Sequence, residues 1–377
     1  MKPPLLLPNS LILVGCAVLC METRPIQAQS VSVDCLFDTS FVAGVSASRT
    51  GTRDVAVDAQ GRIYTLAFGR VMVFDAQEQW RESFLVQPYD RFGSPYWEAS
   101  ALAIGDTGEL LVASRLGDHI QRLSPQGAFL GRFGEPGSGL GQLSDPRDLA
   151  VAPSGEIVVL EAGNQRVHIF ASDGTALRFF GERGDALGHF QEATEVAVDT
   201  LGQVWVSDEG LDRVSVFTLE GVFIRTVGSA GLRSDEYLNP VSVDLGPDGT
   251  LLVVDNGRGS GARVLVFDTS GEYQYSFSKT VQAPDSVGLI CGIAFTDAGE
   301  WVVSNCVGDI EIFSPAGELL RTFRGPLYPA GELYRPEDVA VGRDGRVLVA
   351  DSIDIPHRNG AQRPVENLAA IGRGIQE

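Results

Sequence analysis

The feature that most limits what this chain can fold into is a unit of nearly constant length, written seven times. Aligned on their first apolar column, Val55, Leu102, Leu149, Val196, Val243, Ile293 and Val339 follow one another at intervals of 47, 47, 47, 47, 50 and 46 residues. Six residues after each stands a glycine: Gly61, Gly108, Gly155, Gly202, Gly249, Gly299 and Gly345. A tight turn between antiparallel strands needs a residue that accepts positive φ, so every copy predicts a β-hairpin. In the third copy two further apolar runs, Arg166 to Phe170 and Ala176 to Phe180, are separated by Ser172, Asp173 and Gly174. Four short strands in a unit of this length predict one propeller blade. A single such sheet exposes both faces, and stacking sheets in a ring buries them.

The expected fold is therefore all-β: a β-propeller of four-stranded blades over residues 53–352. The repeat count favours seven blades, with six as the runner-up. Forty-four glycines and 19 prolines among 377 residues suit many short strands and turns. The seventh copy, residues 336–352, has only two strands before the irregular tail 353–377. Its missing strands are expected from the N-terminal segment 29–52, where Val33 to Phe37 and Ser40 to Val45 have suitable lengths. A blade shared between the two chain ends latches a ring and hides its edge strands.

Residues 1–28 read as a signal peptide, with Lys2, an apolar run from Leu5 to Cys20, and cleavage after Ala28. The run is too short and too interrupted by Pro8 and Asn9 to span a membrane, so no transmembrane segment is expected in the mature chain. The alternative is a lipoprotein: Leu13, Val14, Gly15 and Cys16 resemble a lipobox, which would leave a lipid anchor on Cys16. Either reading places the protein outside the cytoplasm, secreted or periplasmic. An oxidising compartment permits disulfides. Cys291 and Cys306 flank a predicted hairpin and are the candidate pair, while Cys35 reads as a buried small residue. The formal net charge of -20 excludes nucleic acid as a natural partner and disfavours anionic membranes.

The connection Phe133, Gly134, Gly137, Gly139, Gly141, Gln142, Leu143, Pro146, then Leu149 to Val151, Gly155, Asn164, Arg166, Val167, Ile169 and Phe170, resembles the NHL repeat. The fourth copy repeats it with Gly181, Gly184, Gly188, Phe190, Val196, Val198, Gly202, Asp208, Asp212, Arg213, Val214, Val216 and Phe217. The likeness covers residues 53 to 352. Copies two and six depart from it: Ile120 and Gln121 stand where Arg and Val are expected, and Gly308, Asp309 and Ile310 lack the arginine. The resemblance implies a propeller, commonly six-bladed, of the NHL-repeat family.

In such a blade the start of the first strand and the end of the second lie on one face. Two rows of residues then surround the channel mouth: Asp54, Ala101, Asp148, Glu195, Ser242, Gly292 and Asp338, and Ala67, Ser114, Glu161, Asp208, Asp255, Asn305 and Asp351. Glu161, Glu195, Asp208 and Asp255 are the candidate metal ligands, for calcium, because hard cations take oxygen donors. The competing expectation is that these acids cap turns and pair with Arg70, Arg166, Arg213 and Arg263. Tyr89, Phe92, Tyr96 and Trp97 after the first blade, with Tyr328 and Tyr334 before the seventh, form the candidate ligand-binding patch for sugars or peptide side chains. Of the four histidines, His119, His168, His189 and His357, the second and third look structural, and no nucleophile motif stands out. The primary expectation is an exported, non-catalytic scaffold for a protein, peptide or glycan, needing no cofactor. Its rival is an enzyme at the acidic mouth, either a calcium-dependent lactonase-like hydrolase or an amidating-lyase-like enzyme with histidine-held zinc.

Overall fold

The computed structural model describes residues 52–351 except 68–69, 76–79, 87–98, 247–248, 258–261, 279–289, 297–298, 306–308, 325–335 and 342–345, together with the strands Ser10–Val14, Ala17–Glu22 and Ser32–Leu36. Six four-stranded antiparallel sheets, at 52–85, 99–133, 146–180, 193–227, 240–278 and 290–324, are blades 1 to 6. Within a blade the strands are lettered a to d in chain order. Each is hydrogen-bonded to the next, as in blade 3: Pro146–Val151, Ile157–Glu161, Arg166–Phe170 and Ala176–Phe180. Strands a of successive blades pack against one another, so they form the inner wall of the ring.

The turn glycines explain the hairpins. Gly61, Gly108, Gly155, Gly202, Gly249 and Gly299 have φ between 75° and 85°, which costs a glycine little and any other residue steric strain. Between blades the alternating side chains of facing sheets interdigitate. Val158, Leu160, Val167 and Ile169 of blade 3 meet Val196, Val204, Val206 and Phe217 of blade 4 around the connecting Phe190. Each fully buried Val or Leu contributes about 1.5–3 kcal/mol relative to exposure, so the ring is held chiefly by these seams.

The expected seven four-stranded blades are corrected to six. The last hairpin, Pro336–Val341 and Arg346–Asp351, belongs instead to a five-stranded sheet ordered Ser32–Leu36, Ser10–Val14, Ala17–Glu22, Arg346–Asp351, Pro336–Val341. Pro336–Val341 lies against strand a of both blade 6 and blade 1. The strand that pairs with this hairpin comes from outside the expected segment 29–52. Ala17–Glu22 pairs directly with Arg346–Asp351, and Ser32–Leu36, close to the expected Val33 to Phe37, is the outermost strand, parallel to Ser10–Val14. Ser40 to Val45 lies outside the described residues. The physical reason is an open hairpin edge whose amides need partners, and the apolar run that reads as a leader also suits a strand. Among the described residues no helix is long and apolar enough to cross a membrane.

Candidate functional site

Two sets of carboxylates flank the inner hairpins, and their surroundings differ. The first set ends strand b. Glu161 is fully buried and accepts four hydrogen bonds: Arg166 Nε at 2.6 Å and His168 Nδ1 at 3.2 Å on Oε1, Ser144 N at 2.9 Å and Asn164 Nδ2 at 2.6 Å on Oε2. Asp208 accepts four backbone amides, from Gln191, Glu192, Gly210 and Leu211, at 2.8–3.1 Å. Asp255 accepts the amides of Leu238, Asn239 and Gly257 and the Nε of Arg263 at 3.1 Å. Each acid thus ties the b–c turn to the connection arriving from the preceding blade.

The arginine that opens strand c completes the clasp. Arg166 donates to the carbonyls of Ser138, Gly139 and Gln142, and Arg213 to those of Asp185, Ala186 and His189. Arg263 repeats this with Arg233 and Glu236. Arg166 also lies 4.0 Å over the Phe179 ring. The amide of Gly141 donates to His168 Nε2 at 3.2 Å, which leaves the ring proton on Nδ1, facing Glu161. His168 stacks on Phe170 at 4.4 Å and is wholly buried. In blades 3 to 5 these groups are engaged in structural bonds, with Glu161 paired to Arg166 and Asp255 to Arg263, whereas Asp208 takes backbone amides.

Blade 2 varies the device. Cross-strand register puts His119 opposite Ser114, the places of Arg166 and Glu161 in blade 3. The expected placing of Ile120 and Gln121 at the Arg and Val positions is thereby corrected by one residue. His119 donates from Nδ1 to the Gly117 carbonyl at 2.9 Å and accepts from Gln121 Nε2 at 3.2 Å. Burial holds its basicity below the ordinary histidine value. With both ring nitrogens engaged, it is no general base for Ser114.

The second set lies on strand a, whose inner edge has no strand partner. Its free amides find acceptors in the preceding blade: Leu102 N donates to Asp54 at 2.6 Å, Val196 N to Asp148 at 2.8 Å and Val243 N to Glu195 at 3.2 Å. Asp244 accepts the amide of Leu245 at 2.7 Å. Asp148, Glu195 and Asp244, from three successive blades, are half-buried and crowd one sector of the inner wall. Burial pushes Asp148 up to about 6, against the pull of Arg147, and pushes Asp244 up to about 7. Glu195 is raised well above the ordinary glutamate value by burial first, and then by the charges of Asp148 and Asp244.

Glu195 therefore separates from the other three expected metal ligands: Glu161, Asp208 and Asp255 are turn clasps, and Glu195 belongs to the inner wall. Among the described residues no group of three or more His, Cys, Asp or Glu side chains is placed to hold a metal ion. Asp244 was missed by motif reading. The signal lies in the column itself, because the corresponding residue is alanine in every other copy: Ala56, Ala103, Ala150, Ala197, Ala294 and Ala340. Tyr89, Phe92, Tyr96, Trp97, Tyr328 and Tyr334 lie outside the described residues, as do His357 and Cys306. Cys291 is disulfide-bonded.

Apolar side chains gather on the outer wall. Of the twelve exposed large hydrophobic residues among those described, ten belong to blades 2 to 4 and the connections that follow them: Leu201 in the a–b turn of blade 4, and Phe129, Leu130, Leu140, Leu177, Phe179, Leu187, Val222, Ile224 and Leu232 on strands d, c–d turns and connections.

An NHL-repeat model matches residues 143–170, which span strands a to c of blade 3. No curated protein matches the chain. Solved propellers do. A streptogramin B lyase is 15% identical, with a TM-score of 0.62 over 82% of this chain and 96% of that one. A catalytically inactive histidine-to-alanine variant of virginiamycin B lyase from Staphylococcus aureus, with quinupristin, is 15% identical, with a TM-score of 0.60 over 82% and 97%. The WD40 propeller domain of Doa1 is 13% identical, with a TM-score of 0.56 over 81% and 92%. At these identities the likeness is one of fold: this chain is a β-propeller, and the NHL-repeat match lies within its third blade.

Proposed function

We propose that this chain is an exported, non-catalytic binding scaffold for a protein, peptide or glycan, working without a cofactor. One observation carries the reading. Among the described residues, the acids that end strand b and the histidines of strand c are consumed by structural bonds, as Glu161, Asp208, Asp255, His119 and His168 all are, while apolar side chains are left in the open on the outer wall. An enzyme needs the reverse, a group kept free to reach substrate.

The lyase neighbours motivate the rival reading, since one of them is described as inactive without a histidine. In this chain His119 and His168 are buried with both nitrogens engaged, and His189 lies 3.4 Å from Glu182 at the surface. The test is a peptide and glycan array followed by mass spectrometry of the captured ligand, with melting curves in calcium and in chelator. A scaffold returns its ligand unchanged and melts at the same temperature in both. Conversion of the ligand, or a rise in melting temperature with calcium, would move the assignment to the metal-dependent hydrolase.

A further inference from the structure

We propose that the outer wall of blades 3 and 4 is a docking surface for a lysine- or arginine-rich polypeptide segment with apolar anchors; this rests on the scaffold reading above and names its partner. The glycine-rich connections do not stand off the ring but lie along the outer strands. A Cβ on Gly141 would meet that of Ala176 at 3.4 Å, and one on Gly188 would meet Phe217 at 3.6 Å and Phe223 at 3.7 Å. Leu140 is thereby brought beside strand d of blade 3, which exposes Leu177 and Phe179, and Leu187 beside strand d of blade 4, which exposes Ile224 just after Val222. Exposure of these six runs from 38% at Ile224 to 65% at Leu187.

The apolar groups are held rather than loose. The buried Arg166 bonds the carbonyls on either side of Leu140 and lies over the Phe179 ring, and Arg213 bonds those around Leu187. A preorganised apolar surface loses less entropy when it is covered. Strand d of each blade also keeps an unpaired outer edge, to which an extended segment adds as one more strand.

Charge decides the kind of partner. Glu135, Asp173, Glu182, Asp185 and Glu220 are exposed in these same connections and c–d turns, against Arg183 alone. Arg178, on blade 3 strand d, is taken up by Glu156 and the Leu219 carbonyl. An apolar strip bordered by five acids favours cations spaced between apolar anchors, and repels acidic chains.

Short fluorescent peptides of alternating lysine and leucine, glutamate and leucine, or serine and leucine, with a glycan array, test this by anisotropy on the full chain. The lysine peptide is expected to bind tightest and to weaken with added salt. Leu140→Ser with Leu187→Ser is expected to weaken it about tenfold or more, and Glu182→Lys with Asp185→Lys to do likewise. Unchanged melting curves are expected for both pairs, since all four side chains are exposed. Equal binding of the glutamate peptide, or undiminished binding by both variants, overturns the assignment. A glycan or acidic peptide bound independently of Leu140 and Leu187 overturns the partner chemistry and leaves the scaffold standing. Binding by no class sinks both.

Discussion

Glu161 and Asp244 are both acids on inner hairpins, of blades 3 and 5, yet they stand in opposite electrostatic situations. Glu161 is completely buried and meets two cationic or ring donors, a side-chain amide and a backbone amide. Asp244 is only half-buried and accepts one amide, burial raises it, and its charge in turn helps to raise Glu195. The deeper acid is the better served. What a carboxylate costs a fold is set by the donors facing it, and burial alone is a poor guide.

Breaking the well-served set is expected to have the largest effect. Glu161→Ala would leave the Arg166 guanidinium buried without its anion and Ser144 N without an acceptor, at a cost of about 3–5 kcal/mol, read as a lower urea midpoint. An unchanged midpoint would remove the clasp from the account of stability.

The poorly served set predicts the opposite sign. A carboxyl raised in the folded state is protonated there at a pH where the unfolded chain has already released its proton. Stability is therefore full below about pH 4 and falls as pH rises towards the folded value, about 7 for Asp244. Asp244→Ala, which restores the residue of the other six copies, is expected to stabilise the protein by about 1–2 kcal/mol at pH 8 and by almost nothing at pH 4. Melting curves across that range decide it, and destabilisation at pH 8 would show Asp244 bonded more strongly than its one amide implies.

Smaller still is Asp148→Asn, which keeps an acceptor for Val196 N and removes one charge from the trio. Glu195 is expected to titrate lower than in the parent, followed by carboxyl NMR against pH. An unmoved Glu195 would mean that the two sites do not feel each other.

The closing sheet offers a separate check. Removal of residues 1–28 on export would take Ser10–Val14 and Ala17–Glu22 out of it and leave Ser32–Leu36 to meet the last hairpin. Intact mass of protein recovered from an exporting host is expected to begin at Gln29, and a chain beginning at Met1 would break the export reading.

Much of the fold was readable because it is periodic. The turn glycines recur for a local reason, positive φ, and the apolar columns recur because each strand must cover a neighbouring blade. The clasp was half readable: pairing of Glu161 with Arg166 and of Asp255 with Arg263 follows from cross-strand register, whereas the reach of those arginines to the preceding connection does not. Asp244 stayed hidden because an aspartate is unremarkable until its column of alanines is laid beside it.

The sequence by itself determined the blade, its four strands, its turns and the ring that must bury its faces, since these depend on residues within one repeat and on a pattern common to all. Only the tertiary structure decided that four-stranded blades number six, that strands from residues 10–36 join the last hairpin, which acids are served and which are crowded, and where apolar side chains stay exposed. Those outcomes depend on contacts between residues about one repeat or nearly the whole chain apart, and no local pattern records which donors or neighbours a side chain meets once the ring has closed.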